Sequence, residues 1–255
     1  YHHITIREDS GERCMIFGRQ RDLRQTCIDL AKPDISVFEY SAMMFAGFLF
    51  RPDAEKVCLI GLGGGYIPTV FRMHLPKVRL QTVEVDPLVE KLARKYFSFT
   101  VPAGQALAID DGRQFLKKSR ERYDQIWLDA FNSDYIPAHL TTKEFLQLAK
   151  SRLTDGGIVI QNLFCDNRMY DAQIATFQAV FKRVFLFEGQ RSGSCIIVAS
   201  DRPACEPAGL RKQAEKWDGK IGRIDLIAES GKCRVSLILK NDPVLTDDFN
   251  PANLL

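Results

Sequence analysis

Val57-Cys58-Leu59-Ile60-Gly61-Leu62-Gly63-Gly64-Gly65 is the stretch on which the reading of this chain turns. Four consecutive apolar residues suit a strand buried on both faces of a parallel sheet. The glycines that follow let the backbone turn sharply and approach a ligand closely. A helix entered from such a turn offers its N-terminal N–H groups to the same spot. A glycine loop by itself also fits a dinucleotide site or a plain turn, so its surroundings have to discriminate.

Downstream, the pattern repeats. Leu80–Val85, Ala106–Ile109, Gln125–Asp129 and Ile158–Leu163 read as strands. Between them Pro87–Phe97, Gly112–Ser119 and Thr141–Leu153 read as helices, the last with its end marked by Asp155-Gly156-Gly157. Asp171–Phe181 continues as helix, with Val184–Phe187 and Cys195–Ala199 as strands, a weak helix over Leu210–Trp217 and a strand over Arg234–Leu239. Strands alternating with helices at this spacing predict an α/β fold with a doubly wound, Rossmann-like sheet. Upstream, Ile4, Ile6, Met15, Phe17 and Ile28 sit in short segments separated by Glu8-Asp9-Ser10-Gly11 and Gly18-Arg19, which is hairpin patterning. The expected division is therefore a small β-hairpin lobe over residues 1–35 and one α/β domain over 36–255. An apolar helix over Val37–Phe50, stopped by Arg51-Pro52-Asp53, joins them.

Composition removes several function classes. The 35 basic and 32 acidic residues among 255 leave a formal charge of +3 without single-sign runs, so neither nucleic acid nor a membrane surface is an expected partner. The longest apolar stretch, Ala42–Phe50, is too short to span a bilayer, and Tyr1–Ile6 reads as a strand rather than a signal peptide. Seven scattered cysteines, with no C-x-x-C, predict free thiols in a reducing cytoplasm. Four histidines without ligand spacing predict no metal site.

Carboxylates then sharpen the glycine loop. The next three strands end in Val83-Glu84-Val85-Asp86, Ile109-Asp110-Asp111-Gly112 and Leu128-Asp129, so each delivers acid to the crevice beside the loop. Asp at a strand–helix junction is also a common N-cap, a role open to each of these aspartates. The loop lacks the last glycine of G-x-G-x-x-G, and phosphates would be poorly placed among acids. An adenosine without phosphates fits better, Glu84 accepting from both ribose hydroxyls and Asp111 from the adenine amino group. A sulfonium cation would be favoured in the same surroundings.

With these residues in place, the chain resembles the spermidine synthase (polyamine aminopropyltransferase) family, built on the class I adenosylmethionine methyltransferase fold. Arg24-Gln25-Thr26, Tyr40 with Met43-Met44, the glycine loop, Val83–Asp86, Asp111-Gly112, Tyr123–Asp129, and Pro137-Ala138 with Leu140 follow the family's motifs in order. The resemblance implies a Rossmann-like catalytic domain that binds S-adenosylmethionine or its decarboxylated form, carrying a small N-terminal β lobe. It implies that Gln25, Gly61, Gly63, Gly64, Glu84, Asp86, Asp111 and Gly112 surround the donor. Asp129 would be the catalytic base, Tyr40 and Asp134 would line the acceptor site, and a small amine would be the acceptor. It also implies a homo-oligomer, with a dimer expected.

Three departures mark this chain. The family's glycine-loop Asp is replaced by Gly64, its H-E after the tyrosine by Ser41-Ala42, and in its acceptor motif the second Asp is shifted to Asp134. Aminopropyl transfer to an amine is the reading the resemblance implies. The departures favour an alternative, methyl transfer from adenosylmethionine, whose carboxylate an Asp at position 64 would repel and whose approach to the loop N–H groups Gly64 permits. A non-catalytic nucleoside-binding scaffold is the third reading; it would have no use for Asp129.

Overall fold

A computed structural model describes residues 3–18, 24–131, 135–190, 193–202, 207–235 and 242–251. The N-terminal strands β1 (Ile4–Asp9), β2 (Glu12–Phe17), β3 (Arg24–Asp29) and β4 (Lys32–Ser36) form a four-stranded antiparallel sheet in sequential order, larger than one hairpin. The β1–β2 turn is Ser10-Gly11, whose φ angles of 52° and 83° match the two-residue hairpin turn compatible with strand twist. Cys14 and Cys27 stand opposite one another on β2 and β3, their Cα atoms 4.1 Å apart, and are joined in a disulfide. The expectation of free thiols throughout fails here, because strand register brings together two cysteines that spacing leaves unrelated. With it goes the argument from thiols for a reducing compartment. Cys58, Cys165, Cys195 and Cys233 take part in no disulfide among the described residues, and Cys205 lies outside them.

The apolar stretch after this sheet forms two short helices, α1 (Glu39–Met43) and α2 (Gly47–Phe50), separated by a 3-10 turn over Met44–Ala46. The α/β domain then follows as β5 (Lys56–Ile60), α3 (Tyr66–His74), β6 (Arg79–Glu84), α4 (Pro87–Tyr96), β7 (Gln105–Ile109), α5 (Gly112–Lys118), β8 (Tyr123–Leu128) and α6 (Lys143–Ser151). It finishes with β9 (Leu153–Phe164), α7 (Tyr170–Val180), β10 (Arg183–Glu188), β11 (Ser194–Ser200), α8 (Pro207–Glu215), α9 (Leu226–Ser230) and β12 (Cys233–Val235). β9 begins five residues earlier than its apolar run suggests. Asp155-Gly156-Gly157 therefore lies inside the strand, next to the point where its register with β8 shifts.

The eight strands are ordered β12-β10-β11-β9-β8-β5-β6-β7. Pairings among β5 to β9 are parallel, and those joining β10, β11 and β12 to the sheet are antiparallel. From β5 the chain winds outward to β6 and β7, then returns to pair β8 on the other side. That reversal opens a crevice at the carboxyl ends of β5 and β8, where ligands of such sheets bind. Among the described residues, no helix is long and apolar enough to cross a membrane.

One core cluster centres on Trp127 of β8, fully buried, with Phe45 at 5.0 Å and Phe71 at 5.3 Å between ring centroids, both edge-on or tilted. Its indole N–H donates to Gln125 Oε1 at 2.8 Å, and Gln125 Nε2 donates to the Arg51 carbonyl. A buried indole N–H needs such a partner. At the opposite end of the strand, Asp124 accepts from the amides of Glu55 and Lys56 and from Thr154 Oγ1, and pairs with Arg51. Burial alone would raise this carboxyl; donation from Thr154 and the two amides, with the Arg51 charge, holds it below its usual range.

Asp124→Asn should therefore cost about 1.5–3 kcal/mol, the worth of hydrogen bonds to a buried charge. Because the folded-state pKa is depressed, this stability is present above the unfolded pKa and is lost as pH falls through the folded value. Chemical denaturation should show the gap between wild type and variant wide at pH 7 and closing below about pH 4. An equal gap at both pH values would remove the carboxylate's charge from the account.

Candidate functional site

Four strand ends build the site. β5 runs directly into Gly61, whose N–H donates to the Val83 carbonyl of β6. At φ 105° Gly61 adopts a conformation that L side chains avoid, and a Cβ there would lie 2.2 Å from the Asp129 carbonyl oxygen. Only glycine lets the loop pass this close to the end of β8. Glu84, at the end of β6 and 8% exposed, takes the Leu62 amide on Oε2 and the Asp86 amide on Oε1, both at 2.9 Å. Burial raises its pKa against these amides, which lower it. A carboxylate offers about four acceptor sites, so acceptor capacity remains at the cavity wall.

Asp86 and Asp111 do cap helices. Asp86 Oδ1 accepts from Leu88 N at the start of α4, and Asp111 Oδ1 from Gln114 N at the start of α5. Both line the cavity as well. Asp111 Oδ2 also accepts from His139 Nε2 at 2.7 Å, and this contact, ahead of its helix-cap bond, holds its carboxyl below the usual range.

Asp129 follows β8 and lies against α1 and β9. Its Oδ1 accepts from Asn162 Nδ2 at 3.1 Å, and Tyr40 donates to the same carboxylate. Burial pushes the Asp129 carboxyl up to about 7, against the lowering effect of these donors. Burial, then the adjacent Asp129 charge, drives the Tyr40 phenol well above its ordinary value, so Tyr40 stays a donor at neutral pH. A carboxylate poised near neutrality at the wall of a cavity is suited to accept a proton from an incoming nucleophile.

One cavity of about 290 Å³ is lined by Gln25, Tyr40, Gly61, Gly63, Glu84, Asp86, Asp111, Gly112 and Asp129 among others, so these predicted residues converge. Gly64 does not join them. Its missing Cβ would meet Thr26 Cγ2 at 2.3 Å and the Phe97 ring at 3.0 Å, so the space beside it is already filled. An Asp at position 64 would therefore have to displace Thr26 or Phe97. Asp134 lies outside the described residues.

Thr26, Phe131 and His139 also line the cavity, and Asn162 supports it from behind. Their sequence signals are weak. The strongest was the polar pair Gln161-Asn162 inside the apolar run of β9. The Leu245–Asp248 segment ties down the wall that carries His139. Asp247 accepts from Arg113 Nη1 at 2.7 Å and Thr142 Oγ1 at 2.8 Å, and Asn250 Nδ2 donates to the Ala138 carbonyl at 2.9 Å. Leu245 is buried with Met169 and Ala172.

A family model described as the spermine/spermidine synthase domain matches residues 37–188. The polyamine aminopropyltransferase of Vibrio vulnificus (strain CMCP6) is 34% identical, the match covering 100% of this chain and 88% of that protein. A probable spermidine synthase from Corynebacterium glutamicum ATCC 13032 superposes with TM-score 0.73 at 20% identity, over 97% of this chain and 94% of that one. Human methyltransferase-like protein 13, solved in complex with SAH, superposes with TM-score 0.65 at 24% identity over 86% and 100% of the two chains. These two solved structures share the fold.

Glu84→Gln would place an NH₂ against one of two backbone N–H groups as well as weaken any bond to a ribose. Affinity for methylthioadenosine should fall by about ten- to a hundredfold, equivalent to ~1.4–2.8 kcal/mol. Calorimetry showing unchanged affinity would take Glu84 out of the binding site.

Proposed function

Because the chain belongs to the spermine/spermidine synthase family of transferases, we propose that it moves an aminopropyl group from decarboxylated S-adenosylmethionine to a small amine. The observation that carries this reading is the Asp129 carboxylate, held by Tyr40 and Asn162 at the wall of a cavity whose other end is lined by Glu84 and Asp111. The 34% identity to a polyamine aminopropyltransferase across the whole chain supports it.

The residues present fit an adenosyl donor. The Gly61–Gly63 backbone allows close approach, Glu84 has acceptor capacity left for ribose hydroxyls, and Asp111 has it for an exocyclic amine. Gln25 reaches the same cavity from β3. When bound, the donor supplies a carbon activated by positive sulfur, whose bond to sulfur breaks with its electron pair as the acceptor nitrogen attacks. Asp129 takes the proton that the nitrogen loses, and Tyr40, donating to Asp129, keeps that carboxylate oriented. The remaining contribution is positional, since holding two reactants in line removes much of the entropic barrier. A homodimer is part of the proposal: β1 is an edge of the N-terminal sheet and offers backbone groups for pairing.

The deciding assay gives the protein decarboxylated S-adenosylmethionine or S-adenosylmethionine together with short diamines, and reads the products by mass spectrometry. Methylthioadenosine with an aminopropylated amine supports the proposal. Adenosylhomocysteine with a methylated acceptor would replace it by methyl transfer.

Asp129→Asn should retain adenosyl binding and lower turnover by about 10²–10⁴-fold, the range for losing a general base. In the wild type, kcat/KM should fall about tenfold per pH unit below about 7, because the protonated carboxyl cannot accept a proton. The variant's residual activity should lack that limb. Normal turnover in the variant would leave Asp129 a structural residue only.

A further inference from the structure

Asn162 does not line the cavity and is 2% exposed, yet its amide reaches Asp129 from behind. We propose that Asn162 is a positioning residue for Asp129: its side-chain N–H holds one carboxylate oxygen, stabilises the ionised form and turns the other oxygen toward the acceptor. This rests on the function proposed above for Asp129.

Two observations carry the inference. The first is polarity: an ionised carboxylate only accepts, so the amide must present Nδ2 to Asp129, as it does at 3.1 Å. The second is what that orientation leaves behind. Asn162 Oδ1 is buried with no hydrogen-bond partner among the described residues. An orphaned buried acceptor is unfavourable, and replacing such a group by an apolar one of similar shape is commonly neutral or stabilising. A leucine would suit the apolar strand between Ile160 and Leu163 better on packing grounds alone. Retention of the amide is explained by its other end, the one on Asp129, where a bond to a charged group is stronger than a neutral one.

The electrostatic setting is specific. Tyr40 faces Asp129 from α1 and is the other donor to it among the described residues. Glu84 and Asp86 from the end of β6, Asp110 and Asp111 from the end of β7, and His139 from the Ala138–Leu140 turn line the same cavity. Asn162 thus supplies, from β9, a neutral donor that stabilises the Asp129 anion among other acids without neutralising it. A cation in its place would pair with Asp129 outright and remove its basicity.

The test is a direct titration of Asp129 in the ligand-free protein, by NMR of protein labelled at the aspartate side-chain carboxyl carbon, with Asp129→Asn to assign the signal. Asn162→Leu and Asn162→Ala are compared with wild type, so that either folded variant suffices. The Asp129 midpoint should rise by about one pH unit, a tenfold change in its ionisation constant. Asn162→Leu should melt no lower than wild type at pH 5, where Asp129 is protonated in both proteins. The acid limb of kcat/KM should move with the midpoint. An Asp129 midpoint unchanged in the folded variants overturns the proposal. A midpoint that moves while the rate profile stays fixed upholds the placement of Asn162 and instead removes Asp129 as the base.

Discussion

The packing of Trp127 against Phe45 and Phe71 is the contact on which the site depends. Trp127 stands two residues before Asp129 on the same strand end, while Phe45 stands five residues after Tyr40. The aromatic cluster therefore fixes the distance between the segments bearing the carboxylate and the phenol. The hydrogen bonds from the indole to Gln125 and from Gln125 to the Arg51 carbonyl close that frame with polar groups that cannot slide. Truncating a ring of this kind costs about 3–5 kcal/mol, and here the loss would fall on the register between two halves of the site.

A division of labour follows from the sheet. The glycine loop, Glu84 and Asp111 lie at the ends of β5, β6 and β7, on one side of the winding reversal, and provide acceptors and close backbone. Asp129, Tyr40 and Asn162 lie around β8 and β9 on the other side and provide a buried carboxylate and its donors. Glu84 links binding to fold, because the carboxylate facing the cavity also holds the Leu62 and Asp86 amides. A change at Glu84 would be felt by the loop that Gly61 presses against β8.

Most of the α/β alternation was legible because it is local: apolar runs, glycine stops and acids at strand ends are properties of ten-residue windows. Residues such as Glu84, Asp111 and Asp129 could be read for the same reason, since a parallel sheet brings strand ends together. What was not legible depends on register or direction. Cys14 and Cys27 meet because β2 and β3 pair in one particular alignment. Gly63 has a left-handed φ of 53° and Gly64 does not, and a side chain at Gly64 would collide with Thr26 and Phe97. Asn162 is a polar interruption of an apolar strand, but its partner follows the neighbouring strand, 33 positions earlier.

The strap formed by residues 243–250 has a consequence for biosynthesis. The cavity wall near His139 is held by Asp247 and Asn250, over a hundred residues downstream of Arg113 and Ala138. During vectorial synthesis the sheet strands that carry Asp129 and Glu84 leave the ribosome well before the segment that braces this wall. Domains fold as their residues emerge, so the nascent chain passes through an interval with its central strands formed and that wall unbraced. A nascent chain that has released its central strands but not residues 243–250 would hold a folded sheet beside an incomplete pocket.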